Sequence, residues 1–220
     1  MIEKINNLKN LASLKVYDFR CNTSLLERTL RDVKELDYGN NRLNQQSIVR
    51  LNDLDKFSEL HDWFQSCIDY VFYDLNLPSS FKKIILTESW VNKNKRGDSH
   101  HIHSHPNSYL SAVFYLTTSS SGFTHFQSEN MWYSYDHLFD AHYSDCGSFN
   151  KFNDFSEQPE AGKLIIFPSK LTHYVESNMS DDVRYTISFN AYPEIHNQRH
   201  AVYFNMKVIP YNRNNVDIEE

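Results

Sequence analysis

The spacing of apolar residues changes character near residue 82. Before that point they recur three and four apart. Leu26, Leu30 and Val33 lead on to Leu36 behind Thr23-Ser24 and Glu27, which read as a capping box. Phe57, Leu60, Phe64, Cys67, Val71 and Leu75 form a second stripe that Asp53 or Asp55 can cap and Pro78 stops. Two amphipathic helices are predicted, with core packing explaining their stripes. Residues 11–19, LASLKVYDF, predict a strand ahead of them, and the Asn- and Gln-rich stretch 37–46, with Gly39, reads as a loop. After Lys82 come short runs rich in Ile, Val, Thr, Tyr and Phe: KKIILTESWVNK, SYLSAVFYLTT, GFTHFQ, GKLIIFPS, THYVES, VRYTISFNAY and AVYFNMKVI. With only five glycines in the chain, Gly97, Gly122 and Gly162 mark turns between strands. Strands following two helices predict a mainly β protein, a barrel or sandwich with N-terminal helices on one face. Residues 128–160 form a polar, aromatic insertion too long for a plain connection. Trp132, Tyr133, Tyr135, Phe139 and Tyr143 suit it to closing over a substrate, or to clamping its own loop.

Length and charge narrow the options. The chain of 220 residues fits one domain, with 1–81 supplying a strand and two supporting helices and 82–210 the β core. Aromatic residues at 15% compensate for a modest hydrophobic fraction of 40%, since each ring buries a large apolar area. A formal net charge of -6 argues against nucleic acid or anionic membrane as partner, leaving a small molecule or peptide. The oligomeric state is not legible. Cys21, Cys67 and Cys146 are odd in number, without any C-x-x-C, and suit a reducing compartment. The opening MIEKINNLKN has no apolar core, and no run approaches the ~18 apolar residues of a membrane span. A cytoplasmic protein is expected.

Candidate chemistry concentrates between Gly97 and Leu116, where His100, His101, His103 and His105 fall within six residues before a Pro-Asn turn signal. In an extended chain, residues two apart share a face, so His103 and His105 can point at one ion while Pro106 and Asn107 turn the backbone away. Imidazole is the commonest protein ligand for transition metals. By the same alternation His100 falls on the opposite face from His101, His103 and His105. Two ligands leave a metal under-coordinated, and His173, at the start of a strand after the Pro168-Ser169 turn, is the candidate third. Arg184 opens the next strand, after Asp181-Asp182.

Four ordered blocks, SW-x-N, H-x-x-H-x-H-P-N-S-x-L-S-x-V-x-Y-L, G-K-L-x-x-F-P-S-x-x-x-H and R-x-x-I-S-F-N, span roughly residues 84–192. Together they resemble the 2-oxoglutarate- and iron(II)-dependent oxygenase superfamily, in particular the small oxygenases of bacteria and tailed phages. The resemblance implies a double-stranded β-helix, a jelly-roll barrel of cupin type, in the cytoplasm of a bacterial cell or phage-infected host. It implies Fe(II) and 2-oxoglutarate as cofactors and hydroxylation of a C-H bond of an unidentified substrate. By it His103 is the first metal ligand and His173 the distal one. Arg184 matches the residue that pairs with the far carboxylate of 2-oxoglutarate, and Tyr115 stands where relatives place a tyrosine on that carboxylate. A planar guanidinium suits this task because it grips a carboxylate through two hydrogen bonds. His100, Asn107, Ser108 and Asn190 are left to support the ligands or touch the substrate, with turn capping an equal explanation for Asn107 and Ser108.

The chain departs from the family at one position. His105 stands where the usual Asp or Glu ligand would be, giving three neutral imidazoles, or His103 and His173 with water in the third place. Without the carboxylate, more of the metal's charge remains to attract anionic 2-oxoglutarate. A zinc hydrolase or lyase on three histidines, and a barrel that binds metal or a partner without catalysis, are the alternatives; the zinc mechanism has no need of Arg184.

Overall fold

Asn22, rather than Thr23 or Ser24, caps the first helix: its side chain accepts a hydrogen bond from the Leu25 N-H at 2.9 Å. This computed structural model describes residues 14–41, 43–77, 79–106, 108–127 and 154–197, with short strand segments at 3–4, 9–11 and 204–206. The N-terminal elements are β1 (Glu3–Lys4), β2 (Lys9–Leu11), β3 (Leu14–Arg20), α1 (Thr23–Lys34), β4 (Tyr38–Asn40), β5 (Gln45–Ser47) and α2 (Ser58–Leu75). Two 3-10 turns, Leu51–Asp53 and Asp55–Phe57, lead into α2, and neither aspartate caps it. The helix ends at Asn76, which adopts the left-handed conformation at φ 47° just before Pro78. The β core comes next: β6 (Phe81–Asn94), β7 (His100–His103), β8 (Leu110–Tyr115), β9 (Thr124–Gln127), β10 (Asp154–Glu157), β11 (Lys163–Pro168), β12 (Thr172–Val175), β13 (Arg184–Asn197) and β14 (Phe204–Met206).

These strands form two antiparallel sheets, a jelly-roll arrangement. The larger runs β1-β3-β11-β8-β13-β6-β5-β4, with β14 on β13 and β2 on β3; the smaller runs β10-β9-β12-β7. Two stretches differ from the sequence expectation. Residues 38–47 form an edge hairpin rather than a loop, with Gln45 and Gln46 pairing Lys93 and Asn92 of β6. A half-buried edge strand needs no apolar alternation, so its polar composition resembled a loop. The end of the long insertion is also part of the core, since β10 pairs β9 from Asp154↔Gln127 to Glu157↔Thr124. The aromatic stretch proposed to close over a substrate lies outside the described residues. No helix among the described residues is long and apolar enough to cross a membrane.

Strand alternation gives the larger sheet two unlike faces. Leu110, Ala112 and Phe114 of β8 and Ile187 and Phe189 of β13 join Phe64, Leu60, Ile68 and Val33 of the helices in the main apolar core. Phe64 is central, its ring centroid 4.8 Å from that of Phe189 and 5.5 Å from that of Phe114. The opposite face meets the smaller sheet through a second cluster around Phe126, Ile165, Phe167 and Tyr115. Elsewhere this inner face is polar, with Ser111, Thr186, Asn190, Asn92, Asn94 and Arg184 all buried. Burying so many polar groups is costly unless each is paired or serves a ligand.

Candidate metal centre

A cavity of about 160 Å³ lies between the sheets, lined from one side by Trp90, Asn92, Asn94, Arg184, Thr186 and Ser188 and from the other by His100, His103, Thr124, His173 and Val175. That volume is some ten times the need of one water and suits a small organic acid. His103, His105 and His173 come together at the cavity, their ligand nitrogens all within 4.8 Å of one another. Pairing of β12 with β7 sets His173 directly opposite His103, with ring centroids 4.2 Å apart. His105 lies just beyond the end of β7. Its backbone N-H donates to the Ser169 carbonyl at 2.9 Å, so the turn before His173 also fixes the segment carrying His105.

Hydrogen bonds define which nitrogens remain available. His103 Nδ1 donates to the His101 carbonyl at 2.8 Å and His173 Nδ1 donates to the Leu171 carbonyl at 2.9 Å, leaving Nε2 of each as a lone-pair donor. His105 Nε2 lies 3.4 Å from His173 Nε2. Two nitrogens on one ion at about 2.0–2.1 Å, with bond angles between octahedral and tetrahedral, stand about 2.9–3.4 Å apart. The pair therefore fits a divalent metal. Burial lowers the pKa values of all three, His105 to about 4 and His173 to about 3, with neighbouring imidazoles adding to the effect. Neutral imidazole is the form that ligates, so the site is ready for a metal at neutral pH.

His100 requires a correction. Alternation placed it on the far face, yet its ring centroid is 4.3 Å from that of His103 and it lines the cavity, while His101 is exposed. The cause is an irregularity in β7: His173 pairs His103 and Val175 pairs His100, three residues against two. Such a bulge shifts the alternation by one position.

Arg184 is 3% exposed and reaches the same cavity from the first residue of β13. One guanidinium nitrogen, Nη1, donates to the Gly122 carbonyl, while Nε has no partner. Burial pulls its pKa down from the ordinary value, so an anion in the cavity would find a cation lacking a countercharge. Tyr115 is fully buried behind Thr124, whose Oγ1 accepts its hydroxyl hydrogen bond at 2.7 Å, and burial raises its pKa. Thr124, not Tyr115, lines the cavity. Asn190 sits deeper, donating to Glu88 Oε1 and accepting from Ser111 Oγ, and Ser108 Oγ donates to the Leu110 carbonyl in the turn. Asn107 lies outside the described residues. Sequence reasoning missed Asn44, Asn94, Thr124, Thr186 and Ser188, although the polar residues alternating through β6 and β13 were the available signal.

Residues 88–190, which include His100, His103, His105, His173 and Arg184, match the family described as "Putative 2OG-Fe(II) oxygenase". Over these residues the chain is similar to the 2-oxoglutarate- and iron(II)-dependent oxygenases. Enzymes of this family depend on Fe(II) and 2-oxoglutarate. The chain shares its fold with HygX from Streptomyces hygroscopicus, solved with nickel and 2-oxoglutarate bound, at 13% identity and a TM-score of 0.56 over 87% of this chain and 92% of that one. It is similar to the α-ketoglutarate-dependent epimerase SnoN of nogalamycin biosynthesis at 13% identity and a TM-score of 0.57, covering 80% and 77% of the two chains. A 2OG-Fe(II) oxygenase-family oxidoreductase from Burkholderia pseudomallei matches at 11% identity and a TM-score of 0.57, covering 80% and 83%. Among curated proteins, none matches this chain.

Proposed function

We propose that the protein holds Fe(II) on His103, His105 and His173, seats the far carboxylate of 2-oxoglutarate on Arg184, and hydroxylates a C-H bond of a small-molecule or peptide substrate. The observation that carries the metal assignment is the 3.4 Å between His105 Nε2 and His173 Nε2. Arg184 carries the co-substrate assignment, because a lone buried anion needs a fixed cation and a zinc hydrolase on the same histidines would not. When bound, Fe(II) with 2-oxoglutarate and O2 supplies oxidative decarboxylation to succinate and CO2, the second oxygen atom entering the substrate as a hydroxyl group. The protein's own part is to hold three neutral imidazoles, orient the keto acid along the cavity and exclude water with the walls at Phe167, Val113 and Trp90. Hydroxylation is the simplest outcome; SnoN, of the same fold, is an epimerase, so the geometry of the bound substrate decides the fate of the attacked carbon.

Two measurements test the reading. Protein purified without oxygen should contain one Fe(II) per chain and, once O2 is admitted, release succinate from 2-oxoglutarate, and Zn(II)-loaded protein should release none. Zinc retained in place of iron, without succinate release, would favour the hydrolase or lyase. Arg184→Ala should weaken 2-oxoglutarate binding roughly 30-fold or more, as expected for removing one partner of a buried charge-assisted pair. Metal affinity should stay near wild type. Unchanged 2-oxoglutarate affinity would remove the co-substrate assignment, and an equal loss of metal would make the arginine structural.

A further inference from the structure

Arg184 does not stand alone on its rung of the sheet. β6 and β13 pair Asn94 with Arg184, and the β5–β6 register, Gln45 with Lys93 and Gln46 with Asn92, brings Asn44 opposite Asn94 when continued by one residue. Residues directly opposite on antiparallel strands have Cβ atoms about 4.5–5.5 Å apart. Asn44, Asn94 and Arg184 thus stand side by side, and all three line the cavity. They are 5%, 1% and 3% exposed. Each carries a buried polar atom without a hydrogen-bond partner: Asn44 Oδ1, Asn94 Nδ2 and Arg184 Nε. The sole other such side-chain atom among the described residues is Asp53 Oδ1, so three of the four fall on one rung. Buried polar atoms are almost always satisfied, and a row of unsatisfied ones facing a cavity marks where a ligand completes the bonding.

The chemistry of that ligand is set by the orientation of the amides. Asn92 Oδ1 accepts from Gln46 Nε2 at 3.0 Å and lies 3.4 Å from Asn44 Nδ2, while Asn92 Nδ2 donates to Ser188 Oγ at 2.9 Å. With its NH2 group committed to Asn92, Asn44 offers only its oxygen. Asn94 offers N-H groups, and so does Arg184. The rung therefore presents two adjacent donors and, beyond them, one acceptor.

We propose that Asn94 is a specificity residue for the end of the co-substrate away from the metal: its side-chain N-H and the Arg184 guanidinium each take one oxygen of the far carboxylate. Asn44 Oδ1, itself without a partner, is the acceptor beyond the two donors. The role of Asn94 rests on the co-substrate reading above. A neutral amide supplies the second donor without a second charge. An oxo acid lacking the far carboxylate leaves both donors unpaired in a buried place, which discriminates more strongly than a missing apolar contact does.

The test uses Mn(II)-loaded protein under nitrogen, so that binding is read by calorimetry without turnover. The probes are 2-oxoglutarate and 2-oxopentanoate, which has a methyl group in place of the far carboxylate. Asn94→Asp removes the donor and faces the carboxylate with a like charge; it should weaken 2-oxoglutarate by about tenfold or more while leaving 2-oxopentanoate within about twofold. Asn94→Leu, similar in size and uncharged, should lose 2-oxoglutarate affinity in the same selective way. Mn(II) affinity and the thermal midpoint, unchanged from wild type, exclude a folding defect. Full 2-oxoglutarate affinity in both variants, or equal weakening of both oxo acids, overturns the proposal. The Arg184→Ala protein, titrated alongside, separates the two failures. If it also keeps 2-oxoglutarate, the co-substrate reading has failed; if it alone loses 2-oxoglutarate, only the role of Asn94 is wrong.

Discussion

At Gly122 the backbone takes φ +70°, and a Cβ built there would lie 2.6 Å from Arg184 Nη1 and 3.2 Å from its Cζ. Both facts require glycine, one through the left-handed conformation and one through the close approach of the guanidinium to the backbone. The Gly122 carbonyl also accepts from Nη1, so this residue fixes where the fork of Arg184 can point. Gly122→Ala should therefore behave as a weaker form of Arg184→Ala: 2-oxoglutarate affinity should fall by about tenfold, with metal affinity retained. Titration of the Mn(II) protein checks it, and an unchanged affinity would show that the guanidinium can find its seat without Gly122. The proposed ligand set, without a carboxylate, belongs to the same scale. Three neutral imidazoles would cancel none of the ion's charge, so metal and arginine together would draw a dianionic oxo acid more strongly than a set with a carboxylate would.

Among the elements, helix α2 and the strands beneath it show what was legible in the sequence. The stripe of Leu60, Phe64, Cys67 and Val71 is buried as its spacing required, and the runs from KKIILTESWVNK to VRYTISFNAY all became strands. The convergence of His103, His105 and His173 was legible because candidate metal ligands are few in kind and their turns were marked by Pro106 and Pro168. The edge hairpin at 38–47 was not legible, because pairing with β6, not its own composition, makes it a strand. Nor was the inward turn of His100, since a bulge is set by the partner strand and leaves no periodic trace in the residues themselves. Asn44 entered the site through that same hairpin. Because α2 covers the outer face of the sheet, Phe64→Ala should destabilise the fold by about 3–5 kcal/mol, measured by urea denaturation. A loss below about 1 kcal/mol would mean that the surrounding rings at Phe114, Phe189 and Trp63 close over the gap.

For the molecule as a whole, pH should act through its buried histidines. His61, whose Nε2 lies 2.9 Å from Ser89 Oγ beneath α2, is held to a pKa of about 4 by burial, as are His100 and His105, and His173 is held to about 3. In the unfolded chain each titrates near 6.5. Between those values the unfolded state binds more protons, so stability is fully present above pH 6.5 and is lost as pH falls toward 4. Each imidazole can contribute a slope of at most about 1.4 kcal/mol per pH unit, reduced where water screens it. Urea midpoints of metal-free protein in chelator should fall over that window, and a flat profile from pH 6.5 to 5 would show that the imidazoles are not held neutral. His61→Gln should flatten the profile without touching the cavity.

The two unlike faces of the larger sheet also divide the meaning of its sequence. In β8 and β13, neighbouring residues answer to different demands: Leu110, Phe114, Ile187 and Phe189 to cohesion with the helices, and Val113, Thr186 and Ser188 to the contents of the cavity. Odd and even positions exchange these parts from one strand to the next. A descendant of this protein could therefore rewrite one set, acquiring a new substrate along every second residue, while the other set kept the same scaffold standing. Stability and chemistry are interleaved in the chain but separately inherited.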